Sequence, residues 1–387
     1  MGFNFNNKIL RDLYDRGFLY QFTNVEAIDQ LFSSGAPFTF YIGFDATAKS
    51  LHVGHLLWIM LVNKLQKFGA KPIVLVGGAT SKIGDPTWKS KERSMLSDSS
   101  IQENIDSIMV KLSQFIDFNN GKLVNNNDWL AKINYMDFLK NYGRYFSVNK
   151  MLSMDSVSER LKRQQHLSFL EFNYMLLQAY DFLHLYNTEN CIIQLGGADQ
   201  WSNIIFGTEL IKKVNGANAY GMTIPLLTTS VGEKMGKTGT ETIWLSENMT
   251  PPRDFWQYWR NIDDADVCKL LKLFTSLDLE EINKYESLIG NEGINEAKIK
   301  LADSITSFVH PNSDNKSIPS FEFLKNSPLD KIVFETGLAG SMTIARRLIE
   351  SDAIRINDTV VNSIKHKISE SCTICCGKKK FVNIKIL

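Results

Sequence analysis

The chain has 387 residues, 44% hydrophobic and 22% charged, with a net charge of +1. That supports two or three domains with a substantial core in the largest, as in an ordinary globular protein. Its longest uninterrupted apolar run, Leu56 to Val62, is far short of the roughly 20 residues a membrane span requires, and MGFNFNNKILRDLYDRG carries no signal-peptide core, so a cytoplasmic location and no membrane partner are expected.

Along the chain, Phe38 to Phe44 (FTFYIGF) is aromatic and β-branched and predicts a strand. Leu56 to Phe68 carries helical periodicity, and Pro72 to Val76 (PIVLV) predicts a buried strand running into GGATSKIGDP. Together these form a β-α-β unit. A later helix, EFNYMLLQAYDF, places Tyr174, Gln178 and Asp181 at spacings of four and three, on one face. Either they line a pocket or they form a solvent-facing stripe. Cys191 to Leu195 (CIIQL) predicts another strand, running into GGADQW before an amphipathic helix from Asn203 to Val214. Strand, glycine-bearing loop and helix in repetition describe a Rossmann-like open parallel α/β sheet, which binds ligands at the carboxyl ends of its strands.

From Pro251 to about Val309 the pattern is helical, opened by Pro-Pro; HPNSDNKSIPS then resembles a linker. The last 59 residues restart with DKIVFE, continue with Ser341 as N-cap of MTIARRLIES, and end in short β-rich runs. The expected division is a Rossmann-like catalytic domain at 1–246, a small helical domain at 247–310, a linker at 311–328 and an α+β domain at 329–387. This last part holds ten Lys/Arg against six Asp/Glu, which suggests either a polyanionic partner or a solvated basic face. Three of the five cysteines crowd into CTICCG, which suits apolar strand filling better than a metal site, since only His366 lies nearby.

Two short segments carry chemistry. In SLHVGHLLWI, His52 and His55 fall in the first turn of a helix, where free backbone N–H groups, the helix dipole and two imidazoles favour an anion. Gly54 lets a flat ligand approach the backbone. A capping or core role is the alternative; a metal pair fits poorly, because the zincin pattern spaces histidines by four with a Glu between them. In GEKMGKTGTE, Lys234, Lys237 and Thr238 sit among glycines in a cationic loop that is one residue short of a P-loop. A histidine pair and a lysine loop can enclose a triphosphate from two sides. Neither supplies a covalent nucleophile, so the chemistry expected is positioning and charge stabilisation on ATP, with Mg²⁺ carried on the phosphates rather than in a protein metal site.

HVGH and KMGKT resemble the two signatures of class I aminoacyl-tRNA synthetases. YIGFDATAKSLHVGHL, LVGGATSKIGDP, EFNYMLLQAYDF and LGGADQWSNI, in that order, resemble the bacterial-type tyrosine-specific branch, and GLAGSMTIARRLIESDAIRIND resembles its S4-like RNA-binding module. The resemblance implies that tyrosine is activated with ATP and passed to its tRNA by a homodimer. It implies contacts from Tyr41 and Asp181 to the tyrosine hydroxyl, and from Asp85, Tyr174 and Gln178 to its ammonium, with Gln200 near the carboxylate. Thr47, His52 and His55 would bind the triphosphate, Gly54 would approach the adenine, and Gly197 and Asp199 the ribose. Lys234, Lys237 and Thr238 would close over pyrophosphate, assisted by Lys89 and Arg93, while Arg346 and Arg347 would contact tRNA phosphates. Two positions depart from the family pattern: Ile42 stands where a ribose-touching Cys can occur, and Trp58 is bulky where small residues are common.

Overall fold

The computed structural model of the protein describes residues 3–85, 96–238, 241–291, 293–313, 320–357, 359–377 and 380–387. They pack as two compact units, 1–250 with 263–294, and 251–262 with 295–387. This cuts through the stretch expected to form a separate helical domain. The helix Val267–Phe274 buries Val267, Leu270, Leu271, Leu273 and Phe274 within the first unit. Arg16, buried near the N-terminus, donates to the carbonyls of Lys272 and Leu277 and ties that segment down.

The first unit is built on a six-stranded sheet of β1 (Gln21–Phe22), β2 (Thr39–Asp45), β3 (Lys71–Gly77), β4 (Lys122–Asn125), β5 (Cys191–Gly197) and β6 (Tyr220–Ile224), in the spatial order β1-β6-β5-β2-β3-β4. Only β1 runs antiparallel to its neighbour. Strands β2, β3 and β5 are buried along most of their length, which is why their sequences are nearly continuous apolar runs rather than alternating ones. Three helices matter for the site: α1 (Val53–Lys67), α2 (Tyr174–Glu189) and α3 (Trp201–Asn215). The apolar run behind the histidines anchors α1 through Leu56, Leu57, Ile59, Leu61, Val62 and Leu65. From β2 the chain proceeds to β3 and β4 on one side, whereas β5 and β6 lie on the other, so the carboxyl ends of β2 and β5 flank a topological switch point.

Between β4 and α2, an ion pair holds the approach to α2. The Arg160 guanidinium meets the Glu171 carboxylate at 2.9 Å, with the two side chains only 3% and 4% exposed. Arg160 also donates to the His166 carbonyl, and Glu171 exchanges hydrogen bonds with Ser168 in a capping box just before Tyr174. Burial pushes the Glu171 carboxyl up, but the hydrogen bonds from Arg160 and Ser168 outweigh it and hold the group below its ordinary range.

In the second unit a five-stranded sheet runs in the order Thr359–Val360, Ile354–Ile356, Cys372–Cys376, Lys380–Ile386, Ser320–Phe323. The last strand falls in the stretch expected to be linker; it pairs in parallel with Lys380–Ile386 and packs Phe321 and Phe323 on the core. Helices Leu329–Glu335 and Met342–Glu350 cover the sheet through Leu329, Ile332, Val333, Ala345 and Ile349, and Ser341 caps the second, accepting from the Ile344 N–H. Cys372 and Cys376 pack against this core, as strand fillers do. No described helix is long and apolar enough to cross a membrane.

Glu171→Gln leaves Arg160 buried without a counter-charge, and a loss of about 3–5 kcal/mol is expected in urea unfolding. Because the Glu171 pKa is lowered by folding, the stability that the pair contributes is present at neutral pH and disappears as pH falls through that depressed value. The variant should therefore lose the acid-side slope contributed by this group.

Candidate active site

A cleft of about 210 Å³ opens at the carboxyl ends of β2 and β5. Of the residues expected from sequence, Tyr41, His55, Asp85, Tyr174, Gln178, Asp181, Gly197, Asp199 and Gln200 all line it. Trp58 and Ile42 line it as well; Trp58 sits one helical turn beyond His55 and faces Gly197, where an added Cβ would lie 3.6 Å from its ring edge. Thr47 does not belong to this lining; it is exposed in the loop after β2. Lys89 and Arg93 lie outside the described residues.

At the deep end, the Asp181 carboxylate accepts from Trp129 Nε1 at 2.7 Å and from Asn126 Nδ2 at 3.0 Å. Burial raises the Asp181 pKa to about 7 against the pull of those two donors. Beside it, the Tyr41 hydroxyl is buried without a hydrogen-bond partner among the described residues, and burial together with Asp181 pushes its pKa up. A carboxylate can accept about four hydrogen bonds, and two are in use. A ligand hydroxyl reaching this end can therefore satisfy both an open acceptor and an orphaned phenol. A ligand without one leaves both groups desolvated and unpaired, a cost of about 1–3 kcal/mol per group.

The middle of the cleft is rich in acceptors. Tyr174 Oη donates to the Asp45 carboxylate at 3.3 Å, and Thr80 donates to the same group at 3.4 Å. Asn203 bridges Gln178 and Gln200 at 3.0 and 3.1 Å, and Gln200 Nε2 donates to Asp85 at 2.6 Å. Two carboxylates, a phenol and three amides, held in two hydrogen-bonded sets, suit a cationic group. Asp199, nearer the rim, has its pKa raised by burial and by Asp85, with Lys234 pulling the other way, which places the lysine loop in electrostatic reach of the cleft.

At the tip of α1 the histidines form a reciprocal cap. Gly54 N donates to His52 Nδ1 at 3.0 Å, and His52 N donates to His55 Nδ1 at 3.1 Å. With Nδ1 of each ring accepting, the network assigns the proton of each to Nε2, so each imidazole is a donor there. Burial and the neighbouring His52 hold the His55 pKa well below its ordinary value, so His55 acts as a neutral donor at pH 7. One expectation changes. The backbone N–H groups of Val53, Gly54 and His55 are taken by the Ile243 carbonyl, His52 Nδ1 and the His52 carbonyl, so anion binding at this tip falls to the imidazoles and the helix dipole rather than to free amides. Gly54 is required by the cap as well, since a Cβ there would come within 2.8 Å of the His52 ring.

The lysine loop leads into a two-stranded ribbon, Lys237–Thr238 with Glu241–Thr242. Gly236, at φ +99°, lies against Val53 and Gly54 of the helix tip. Two segments some 180 residues apart in sequence thus meet at one end of α1. Among the described residues no group of three or more His, Cys, Asp or Glu is arranged to hold a metal. In the second unit, Arg346 is ion-paired with Asp330 at 2.9 Å, and Arg347 is exposed one residue further on.

Sequence reasoning missed Asp45, Thr80, Asn126, Trp129 and Asn203. Asp45 ends a strand of an open sheet, a position that could have marked it. Asn126 and Trp129 carry no such signal, because their role is a contact with a residue more than 50 positions away.

A family model described as tRNA synthetases class I (W and Y) matches residues 33–318, and the S4 domain model matches residues 327–373. The chain is 46% identical to a tyrosine–tRNA ligase of Wolbachia sp. subsp. Drosophila simulans (strain wRi), covering 98% of each chain. It is 42% identical to the tyrosine–tRNA ligase of Rickettsia conorii (strain ATCC VR-613 / Malish 7), over 98% of this chain and 100% of that one. Among solved structures it resembles a C-terminally truncated mitochondrial tyrosyl-tRNA synthetase of Aspergillus nidulans, with a TM-score of 0.70 and 29% identity over 78% of this chain and 89% of that one.

The donors on Asp181 set its titration. Trp129→Phe removes one of them, and the Asp181 pKa should rise above its value of about 7, as read by carboxyl ¹³C NMR. Because folding raises this pKa above the ordinary 3.8, the protein loses stability as pH climbs from there through 7, and the variant should extend that loss to higher pH. An unshifted titration would show that Trp129 does not tune the carboxyl.

Proposed function

Because the chain belongs to the class I tRNA synthetases of the tryptophan and tyrosine family, we propose that the cleft activates L-tyrosine with ATP to tyrosyl-adenylate and pyrophosphate and then passes tyrosine to the terminal ribose of its tRNA. The observation that carries tyrosine over tryptophan is the deep pair of Asp181 and Tyr41, an open acceptor beside an orphaned hydroxyl. An indole N–H can donate to Asp181 but cannot accept from Tyr41, so it would leave that buried hydroxyl unsatisfied.

In this reading Tyr41 and Asp181 hold the substrate hydroxyl, and Asp85, Tyr174 and Gln178, supported by Asp45 and Asn203, hold its ammonium. Gln200 orients the carboxylate toward the α-phosphate. Gly197 and Asp199 receive the ribose, Gly54 the adenine, and Trp58 forms the wall opposite Gly197. ATP enters with Mg²⁺ on its phosphates as the substrate complex. The substrate carboxylate attacks the α-phosphorus, the bond to the bridging oxygen breaks, and charge builds on the pentacoordinate phosphate and on the departing pyrophosphate. His52 and His55 donate Nε2–H bonds to that charge, and Lys234, Lys237 and Thr238 close over the pyrophosphate, with Thr47, Lys89 and Arg93 assisting. None of these groups transfers a proton; their contribution is charge placed in advance where the transition state develops it.

The expected functional division remains a catalytic part, a helical anticodon-side part within 247–310 and an S4-like module at 329–387. Arg347, with Arg346, contacts tRNA phosphates. The protein is a cytoplasmic homodimer, and the segment between β4 and α2, which exposes Met136 at 69%, Val148 at 58% and Phe169 at 69%, supplies apolar surface for the partner copy.

Tyrosine-dependent exchange of labelled pyrophosphate into ATP tests the activity. His55→Ala should slow it by roughly 10²–10³, the loss of one transition-state donor, while leaving the tyrosine dissociation constant close to wild type. Absence of exchange in the wild type, or equal losses in rate and tyrosine binding, would overturn the respective assignment. For the tail, Arg347→Ala should weaken tRNA binding without altering exchange and should reduce the slope of log affinity against log salt by about 1.

A further inference from the structure

The exit from the lysine loop is hydrogen-bonded to the histidine tip. Ile243 N donates to the Gly236 carbonyl at 2.8 Å and Val53 N to the Ile243 carbonyl at 3.1 Å, and Leu245 N donates to the Leu51 carbonyl at 2.8 Å. These bonds flank an isolated antiparallel bridge between His52 and Trp244. The Trp244 ring meets the His52 ring at a centroid distance of 6.1 Å and an interplanar angle of 62°, an edge-on contact. On its other side Trp244 is fixed by its backbone N–H, which donates to Thr250 Oγ1 at 2.9 Å, and Thr250 is buried. The His52 ring therefore contacts both Trp244 and the His55 ring, whose centroid is 4.0 Å away.

This arrangement matters because the backbone amides of the helix tip are already committed, Val53 N to the loop exit itself. The direction of the imidazole Nε2–H bonds then decides how well the tip receives phosphate. The hydrogen bond to His52 Nδ1 sets the ring's side-chain torsions, and the aromatic edge of Trp244 packed against the ring adds to that restraint.

We propose that Trp244 is a positioning residue for adenylate formation. It seats the His52 imidazole in its Nε2–H orientation and, through the same bridge, registers the lysine loop on the histidine tip. The inference rests on the reading of that tip as the phosphate-binding end, and it acts through His52, not by touching substrate.

The test compares Trp244→Leu, which keeps apolar volume without an aromatic edge, with Trp244→Phe, which keeps an edge. Histidine-ring ¹⁵N NMR of the full-length free protein should show His52 as the Nε2–H tautomer in wild type and W244F, and a shift toward tautomer averaging in W244L. Single-turnover adenylate formation should fall at least about tenfold in W244L with tyrosine affinity unchanged, and W244F should recover most of it. An unmoved His52 signal with an unmoved rate in W244L would overturn the proposal, as would tyrosine affinity falling in parallel with rate, or a W244F variant no better than W244L. A wild type without tyrosine-dependent exchange would overturn the functional reading instead, and the tautomer comparison would still decide whether Trp244 seats His52.

Discussion

The site depends on a constraint of sheet topology: β2 and β5 are parallel neighbours whose chains continue to opposite sides of the sheet. No crossover helix can cover the point where they part, so a crevice opens there. Every group with a role in the cleft is positioned from its walls. β2 contributes Tyr41 and Asp45, β5 leads through Gly196 and Gly197 to Asp199 and Gln200, α1 rises from one side with His55 and Trp58, and α2 lies across with Tyr174, Gln178 and Asp181. The glycines at the end of β5 are part of the same constraint, since a Cβ at Gly196 would come within 2.7 Å of Ile204 and one at Gly197 within 2.1 Å of the Asp199 carboxylate.

Along the crevice the electrostatic character changes in order. The deep end is buried, with a carboxyl whose pKa is raised to about 7 and two donors trained on it. The middle is acidic and bound into a chain of amides and carboxylates. The α1 end offers imidazole donors, His55 among them held neutral by burial, with the lysine loop close enough to pull on Asp199. A hydroxyl at one end, an ammonium in the middle and a polyphosphate at the other, as the proposed tyrosine and ATP bring between them, satisfy all three. A purely apolar occupant leaves buried partners unpaired.

Much of this was legible in the sequence wherever it rests on local periodicity. The strands FTFYIGF, PIVLV and CIIQL, the helix bearing Tyr174, Gln178 and Asp181, and the placement of both histidines at a helix start all follow from spacing and composition, and in the structure they differ only by a few residues at the ends. The polar face of α2 is turned toward the cleft, which resolves the choice between pocket and solvent stripe. The packing of Val267–Phe274 with the first unit and the edge strand Ser320–Phe323 were not legible, because amphipathicity tells that a face is buried but not against what.

The sequence by itself determined the order of strands and helices, the chemical types brought to the site and the family, since these are written in short-range pattern and in motifs. Only the tertiary structure decided that Asn126 and Trp129 hold Asp181, that Tyr174 reaches Asp45, and that the helix-tip amides are spent on the loop exit and the histidine cap, leaving the imidazoles as donors. Each of those is a hydrogen bond whose partner is chosen by distance in space. Whether a backbone N–H is open or occupied depends on which distant carbonyl folds back onto it, and no local spacing records that.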